Sequence, residues 1–389
     1  MKRKFFLVCF FCTCLNFAQE WNKKNDFAAS GSINLLSFTI DNKAYVIDTF
    51  DAKLYKYQTD TDTWNFTTIE WMRDKGYQDG FALPIGDRAF VAPGLPSDPN
   101  ESSKVFYEFN PNTETWTQLA DLPSFIFHSS VPIPNFSFNN VGYFLLLGKM
   151  YSYDPNTTIW TDKESRYPGG SYYFNTAHFS INNKFYVGSG TNSALESSSN
   201  FFKYNPENNS WEQIANYPYS RAPSSMISFV INEIGYTGLG TYSNNNGFEY
   251  DSQFYSYSPS NDIWSAIPDC KYSAKASFSF TLNGKGYVGA GWRTSPFEVY
   301  HDIWEFTPIA LHTKSNSIVT TKIYPNPAQN FIHIDSREPI KEVKIYSING
   351  SLIKNTINSR INISNLPSGL YFIDVLINTK IVRKKFIKI

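Results

Sequence analysis

The sequence predicts an all-β protein, and two recurring patterns carry that prediction. One is a phrase of alternating aromatic residues, an Asn/Asp-Pro turn and a Trp, whose cleanest copy is FFKYNPENNSW at 201–211. The other precedes it and combines a strand, an Asn-Asn turn and a second strand, best seen in FSINNKFYVG at 179–188. Period-two alternation is typical of strands, and Asn-Pro and Asn-Asn are typical of tight turns. Each unit is therefore predicted to contain two hairpins, or four strands.

The spacing of the patterns predicts six such units. Steps of 44 to 53 residues separate the Trp residues of the phrase, which are Trp64, Trp116, Trp160, Trp211 and Trp264. An aromatic residue marks the second strand of every unit: Tyr45, Phe90, Tyr143, Tyr186, Tyr236 and Tyr287. Six four-stranded sheets at this repeat length predict a six-bladed β-propeller.

The order of the two patterns resembles Kelch repeats across most of residues 20–308. The adjacent glycine pair of Kelch units is replaced by Gly-x-Gly at 188–190, 238–240 and 289–291, and it is missing from the first three units. The resemblance implies that two sets of loops share one face around a central channel, where ligands bind. Four loops between second and third strands are long: 92–103, 190–200, 240–252 and 291–301.

The two ends of the repeat region complete each other. Residues 20–27 contain a Trp-led strand without its hairpin partner, whereas 301–308 contain the partner strand without a following Trp strand. We therefore expect residues 20–27 to supply the outermost strand of the sixth blade, which closes a propeller spanning 20–308.

Residues 1–19 have the composition of a signal peptide. Lys2, Arg3 and Lys4 precede an apolar run that is too short to span a bilayer. No later stretch is predicted to be a transmembrane helix. Residues 309–321 form a polar linker.

Residues 322–389 contain short alternating strands and turns, which predict a small β-sandwich of the immunoglobulin-like type. This segment resembles the type A C-terminal sorting domain of type IX secretion cargo. The matching residues include Tyr324, Pro325, Asn326, Pro327, Gly369, Tyr371, Lys384 and Lys385. The resemblance implies type IX machinery as a partner, and a protein secreted or attached to the outer-membrane surface after Sec export to the periplasm. An accessory binding domain is the alternative.

Composition and motifs exclude several classes of function. Lys plus Arg and Asp plus Glu both number 34, so there is no electrostatic reason to expect nucleic acid as a partner. Beyond the signal peptide only Cys270 remains, and one cysteine makes no internal disulfide. The five histidines form no metal-ligand pair, and no nucleophile or phosphate-loop motif occurs. We expect no catalytic residue, metal or cofactor.

Candidate ligand residues come from equivalent positions in the repeats. Lys75, His128, Arg221 and Tyr272 each stand fifteen residues before the second-strand aromatic of their unit. These positions should lead into the innermost strands near the channel mouth, with three further neighbours: Arg166, His178 and Lys275. Such basic and aromatic groups suit a sugar bearing a carboxylate. The alternative for each residue is a solvated or backbone-bonded loop side chain.

Two functions remain open at this point. The first is a non-catalytic surface propeller that binds a glycan or a protein. The second is a carbohydrate-active enzyme, which the Kelch resemblance implies in the form of a sialic-acid mutarotase or epimerase. That enzyme needs an Arg beside a carboxylate in the channel. Arg221 is available, but the sequence identifies no acidic partner for it.

Overall fold

The computed structural model describes residues 19–29, 35–124, 133–170, 174–194, 196–218, 223–244, 247–275, 277–294, 297–308, 322–336, 339–348, 351–377 and 380–389. The chain divides into two compact units, Met1–Ile309 and Ala310–Ile389. Within the described ranges, no helix has both the length and the apolar character needed to cross a membrane.

The N-terminal unit consists of six four-stranded antiparallel sheets, or blades. Strand β1 (Glu20–Lys24) comes first in the chain and belongs to blade 6. Blade 1 contains β2 (Leu35–Ile40), β3 (Lys43–Asp48), β4 (Lys53–Gln58) and β5 (Thr63–Thr68). A short 3₁₀ turn, Glu70–Met72, leads to blade 2 with β6 (Gln78–Ile85), β7 (Arg88–Leu95), β8 (Tyr107–Asn110) and β9 (Thr115–Gln118).

Blades 3 and 4 repeat this order. Blade 3 contains β10 (Asn135–Phe138), β11 (Val141–Leu146), β12 (Lys149–Asp154) and β13 (Ile159–Arg166). Blade 4 contains β14 (Ala177–Ile181), β15 (Lys184–Gly188), β16 (Phe201–Asn205) and β17 (Ser210–Ile214). In each blade the first strand is innermost and packs against the first strands of the neighbouring blades.

Blades 5 and 6 each carry an additional hairpin between their second and third strands. Blade 5 contains β18 (Ile227–Ile231), β19 (Ile234–Gly238), the hairpin β20 (Thr241–Asn244) and β21 (Gly247–Tyr250), then β22 (Phe254–Ser258) and β23 (Ile263–Ile267). Blade 6 contains β24 (Phe278–Leu282), β25 (Lys285–Gly289), the hairpin β26 (Trp292–Thr294) and β27 (Phe297–Val299), then β28 (Ile303–Thr307).

In blade 5 the repeated Trp joins the blade to the one before it. The indole N–H of Trp264 donates to the Ala215 carbonyl, 2.9 Å away in the preceding blade. Two residues earlier, Asp262 adopts a positive φ of 54°, and its carboxylate accepts from the Ala215 N–H and the Tyr257 hydroxyl at 2.9 and 2.8 Å. Asp tolerates this left-handed conformation better than most residues. The phrase therefore combines a turn with a connection between blades.

The same arrangement joins the two ends of the repeat region. Strand β1 pairs antiparallel with β28, which places Trp21 opposite Phe306. The Trp21 side chain is 7% exposed, and its indole N–H donates to the Pro268 carbonyl at 2.9 Å. Strand β1 is thus the fourth and outermost strand of blade 6, and Trp21 takes the place of the repeat Trp.

The C-terminal unit consists of two sheets around one apolar core. Its strands are β29 (Lys322–Tyr324), β30 (Phe331–Asp335), β31 (Ile340–Ser347), β32 (Leu352–Thr356), β33 (Arg360–Asn362), β34 (Gly369–Ile377) and β35 (Lys380–Lys388). One sheet has the order β29-β30-β33, the other β32-β31-β34-β35. Ile332 from the first sheet and Ile345 and Ile373 from the second are buried in the shared core. The two sheets agree with the predicted sandwich, and its immunoglobulin-like type stays a prediction.

Candidate functional site

A central channel of about 400 Å³ runs between the six innermost strands. Equivalent positions of these strands form two rings around it. The fourth residue from the end of each strand gives the first ring: Ser37, Ala82, Asn135, His178, Ser228 and Ser279. The second residue from the end gives the second ring: Thr39, Pro84, Ser137, Ser180, Val230 and Thr281. The side chains of both rings are uncharged at neutral pH apart from the titratable imidazole of His178.

The hydroxyls on one side of the channel connect neighbouring blades. Ser37 donates to the Ser279 carbonyl and Ser279 donates to the Ser228 carbonyl, both at 2.7 Å. In the second ring, Thr281 donates to the Val230 carbonyl at 2.8 Å. An innermost strand has one edge without a partner strand, so these hydroxyls satisfy carbonyls that the sheet leaves unpaired. We assign them a structural role.

Among the described residues that line the channel, His178 carries the titratable side chain. Burial among protein atoms lowers the pKa of its imidazole to about 4, because the charged form loses its hydration. Its ring lies 5.9 Å from that of Phe185 on the neighbouring strand. A hydrogen bond with the Thr176 backbone opposes this effect of burial only in part, so the imidazole is neutral at physiological pH. The sequence analysis places His178 near the channel mouth, and in the structure it is the second residue of β14 and belongs to the first ring.

One face of the propeller carries both sets of loops. Segments that lead into the innermost strands form isolated bridges with segments that follow the second strands: Ser224 with Thr241, and Lys275 with Trp292. On this face the hairpin β20–β21 of blade 5 lies beside the hairpin β26–β27 of blade 6, and we call these two hairpins the hairpin pair. The Tyr250 hydroxyl joins them, at 2.8 Å from the Thr294 hydroxyl and 2.6 Å from its N–H.

The hairpin pair presents aromatic side chains to solvent. Phe297 is 66% exposed and Phe248 is 38% exposed. The Trp292 ring lies 5.8 Å from that of Phe297. Large exposed aromatic groups on adjoining loops are typical of binding surfaces rather than of ordinary protein surface.

Two cations lie against these aromatic rings. The Lys275 ammonium is 4.1 Å from the centroid of the Trp292 ring and 4.7 Å from that of Phe248. Burial lowers the pKa of Lys275 below its ordinary value. The Arg293 guanidinium lies over the Tyr250 and Tyr300 rings, and it donates to both the carbonyl and the hydroxyl of Ser273. Attraction between cations and ring faces holds both side chains in place.

The structure separates the other predicted ligand residues from this surface. Lys75 pairs with Glu101 at 3.0 Å in the segment leading to blade 2, and Arg166 is exposed at the end of outermost strand β13. Tyr272 is buried, and its hydroxyl donates to Ser277 and to the Ala290 carbonyl. His128 and Arg221 lie outside the described residues.

Four residues of the hairpin pair escaped the sequence reasoning: Phe248, Trp292, Arg293 and Phe297. The available signal was the content of the long loops 240–252 and 291–301, which combine aromatic and basic residues. Positions counted back from the second-strand aromatics fall in the segments before the innermost strands and not in these loops.

In the C-terminal unit, Asn326 connects the Tyr-Pro-Asn-Pro motif to the last strand. Its side chain accepts from the Ile387 N–H at 2.9 Å and donates to the Lys385 carbonyl at 3.3 Å. Tyr371 stacks on Phe386, with ring centroids 5.5 Å apart, and donates to the Pro367 carbonyl. The side chains of Lys384 and Lys385 are exposed on β35. The motif residues Asn326 and Tyr371 thus support the strand that carries the basic side chains.

Comparison with known proteins supports the class of both units. Residues 322–389 match the family model of the secretion system C-terminal sorting domain. The Kelch-like protein terF of Aspergillus terreus is 28% identical over 161 residues, which cover 37% of this chain and 35% of that protein. This chain thus matches about a third of the length of that curated relative. The solved structure of YjhT superposes with a TM-score of 0.61 at 12% identity, covering 72% of this chain and 96% of that one.

The six four-stranded blades make the N-terminal unit a β-propeller, and its partial similarity to a Kelch-like protein agrees with the Kelch resemblance of the repeats. More particularly, the propeller is joined in one chain to a secretion system C-terminal sorting domain, which supports export to the cell surface or the medium.

Proposed function

We propose that the protein is an exported, non-catalytic propeller that binds an extracellular glycan or protein through the hairpin pair. The aromatic surface formed by exposed Phe248 and Phe297 with partly buried Trp292 is the observation that supports this proposal. Flat aromatic rings present a rigid apolar surface on which the apolar face of a sugar ring stacks. Hydrogen bonds between Tyr250 and Thr294 fix the two hairpins to each other before a ligand arrives, which limits the entropy lost on binding.

A glycan array probed with the purified protein tests the proposal. The parent should bind a defined subset of glycans, and Phe297→Ala should weaken that binding at least tenfold because the exposed ring contributes contact area and little to the core. Ile159→Ala is the matched control, since Ile159 is 58% exposed on the outermost strand of blade 3. Equal binding by the parent and Phe297→Ala would exclude the hairpin pair as the glycan site.

The export route forms the second part of the proposal. The sorting-domain match over residues 322–389 supports recognition by type IX secretion machinery at the outer membrane. The basic and apolar composition of residues 1–19 supports earlier Sec export to the periplasm. In this proposal the propeller is the exported domain and the C-terminal unit is its sorting signal.

A carbohydrate-active enzyme is the alternative, and His178 is the observation that favours it. A neutral imidazole with a strongly lowered pKa inside a channel is a feature of many catalytic sites. For a sialic-acid mutarotase, the protein should accelerate the interconversion of N-acetylneuraminic acid anomers, followed by proton NMR, and His178→Phe should abolish the acceleration. An unchanged rate of interconversion with the parent protein removes this alternative.

A further inference from the structure

The ammonium of Lys275 is a buried cation without a counterion among the residues that the structure describes. The side chain is only 7% exposed. Its ammonium contacts the Trp292 and Phe248 rings and makes no hydrogen bond or ion pair with a described residue. Taking an ammonium out of water is unfavourable, and ring faces replace its hydration only in part. A cation in this position therefore has unused capacity for an anion.

The carboxylates of the neighbouring segments are directed elsewhere. Asp251 accepts from the Tyr242 hydroxyl at 2.7 Å, and Glu298 accepts from the Tyr300 hydroxyl at 2.5 Å. Glu249 follows Phe248 on β21, and successive side chains of a strand point to opposite faces. Phe248 contacts Lys275 from one side of the hairpin, and the Glu249 side chain therefore projects from the other side.

The second cation of the hairpin pair is already engaged. Arg293 donates to Ser273 through its Nε and through its terminal nitrogen, and two tyrosine rings enclose its guanidinium. A contact with a ring face is not a conventional hydrogen bond. The three N–H donors of the Lys275 ammonium therefore remain available to an oxygen acceptor. Of the two cations, Lys275 is the one with donors left for a ligand.

Lys275 lies on the aromatic side of the hairpin pair. It bridges directly to Trp292, and residues directly opposite each other across paired strands place their side chains on the same face. Trp292 in turn neighbours the exposed ring of Phe297. We propose that the hairpin pair binds an acidic glycan, with the carboxylate or sulfate received by Lys275 and the sugar face stacked on Trp292 and Phe297. This inference rests on the proposed glycan binding and specifies its ligand class.

The test compares acidic glycans with their neutralised counterparts on one array. The probes are uronate, sialylated and sulfated oligosaccharides, each beside its carboxyl-reduced or desulfated form, and the purified full chain is the analyte. We expect at least a tenfold preference for one acidic class, and the class bound distinguishes carboxylate from sulfate. Equal binding of acidic and neutral forms overturns the inference and leaves glycan binding standing. Absence of any glycan binding by the parent overturns the proposed function itself.

Variants then assign the preference to Lys275. Lys275→Met keeps the apolar stem beneath the rings and removes the charge, so acidic glycans should bind about ten- to a hundredfold more weakly while neutral forms are unaffected. Lys275→Arg should retain the preference. Lys75→Met is the control, because Lys75 is a lysine of another loop already paired with Glu101. Full acidic preference in Lys275→Met overturns the inference, and if that variant does not fold, the acid-to-neutral ratio of the parent decides.

Discussion

Removal of the Trp21 indole should destabilise the propeller more than any substitution of an exposed strand residue. The ring packs at 4.9 Å from both Phe254 and Phe306 and at 6.3 Å from Phe229. Truncating a buried Trp to Ala costs about 3–5 kcal/mol, and the lost hydrogen bond to Pro268 adds about 1 kcal/mol. We therefore expect Trp21→Ala to lower the free energy of unfolding by about 4–6 kcal/mol. For a large domain that is a fall in melting temperature of about 8–24 °C.

Thermal melting followed by circular dichroism measures this effect. Trp21→Phe keeps most of the packing and removes the indole N–H, so its loss should be about 1–2 kcal/mol. Ile159→Ala, at a 58% exposed position of β13, should change stability by less than about 0.5 kcal/mol. If Trp21→Ala melts within about 2 °C of the parent, β1 does not hold the ring closed and the reasoning is wrong.

Three further outcomes follow from other parts of the molecule. Removal of residues 322–389 should leave a folded propeller in the periplasm, and its appearance in the medium in cell fractionation would contradict the sorting role. Asp262→Ala should lower the free energy of unfolding by about 2–3 kcal/mol, because it removes a charged acceptor from Tyr257 and Ala215. Asp262→Asn should lose less than about 1 kcal/mol in the same urea titration, and equal losses would exclude the acceptor as the cause. The pKa of His178 is about 4 in the folded protein against about 6.5 in an unfolded chain, so the unfolded chain binds more protons between these values. The free energy of unfolding should therefore fall by up to about 3 kcal/mol as pH drops from about 6.5 to about 4, and His178→Gln should flatten that part of the urea-measured profile. A profile that is the same in both proteins would contradict the lowered pKa of the imidazole.

The blades were predictable because their determinants are local in sequence. Asp262 and Trp264 stand two residues apart, and the pair specifies both a left-handed turn and the start of a strand. Such short motifs can be recognised in successive repeats. The strand that begins at each repeat Trp pairs with the strand just before it in the chain. The contact between neighbouring blades is predictable from the same residues, because the repeat Trp lies in that contact.

The candidate site was less predictable because it joins residues from different blades. Lys275 meets Phe248 of blade 5 and Trp292 of blade 6, and loop length alone did not indicate that both loops fold as hairpins. The fifteen-residue spacing predicts where Tyr272 lies along its segment. It does not predict the direction of the side chain, which points into the core. For His178, alignment with Ser37 and Ser279 at the same position of their strands would have indicated the channel ring.

Closure by β1 also sets an order of events for a growing chain. The indole of Trp21 and its acceptor Pro268 are separated by 247 residues, and the partner strand β28 lies further on still. The segment made early must therefore wait, with its Trp unpacked and its backbone unpaired, until nearly the whole propeller has emerged. Contacts so distant in sequence form slowly, and an unpaired apolar strand is open to association with other chains. The N-terminal strand thus makes completion of the ring a late event, and gives any factor that binds extended chains a long interval in which to act.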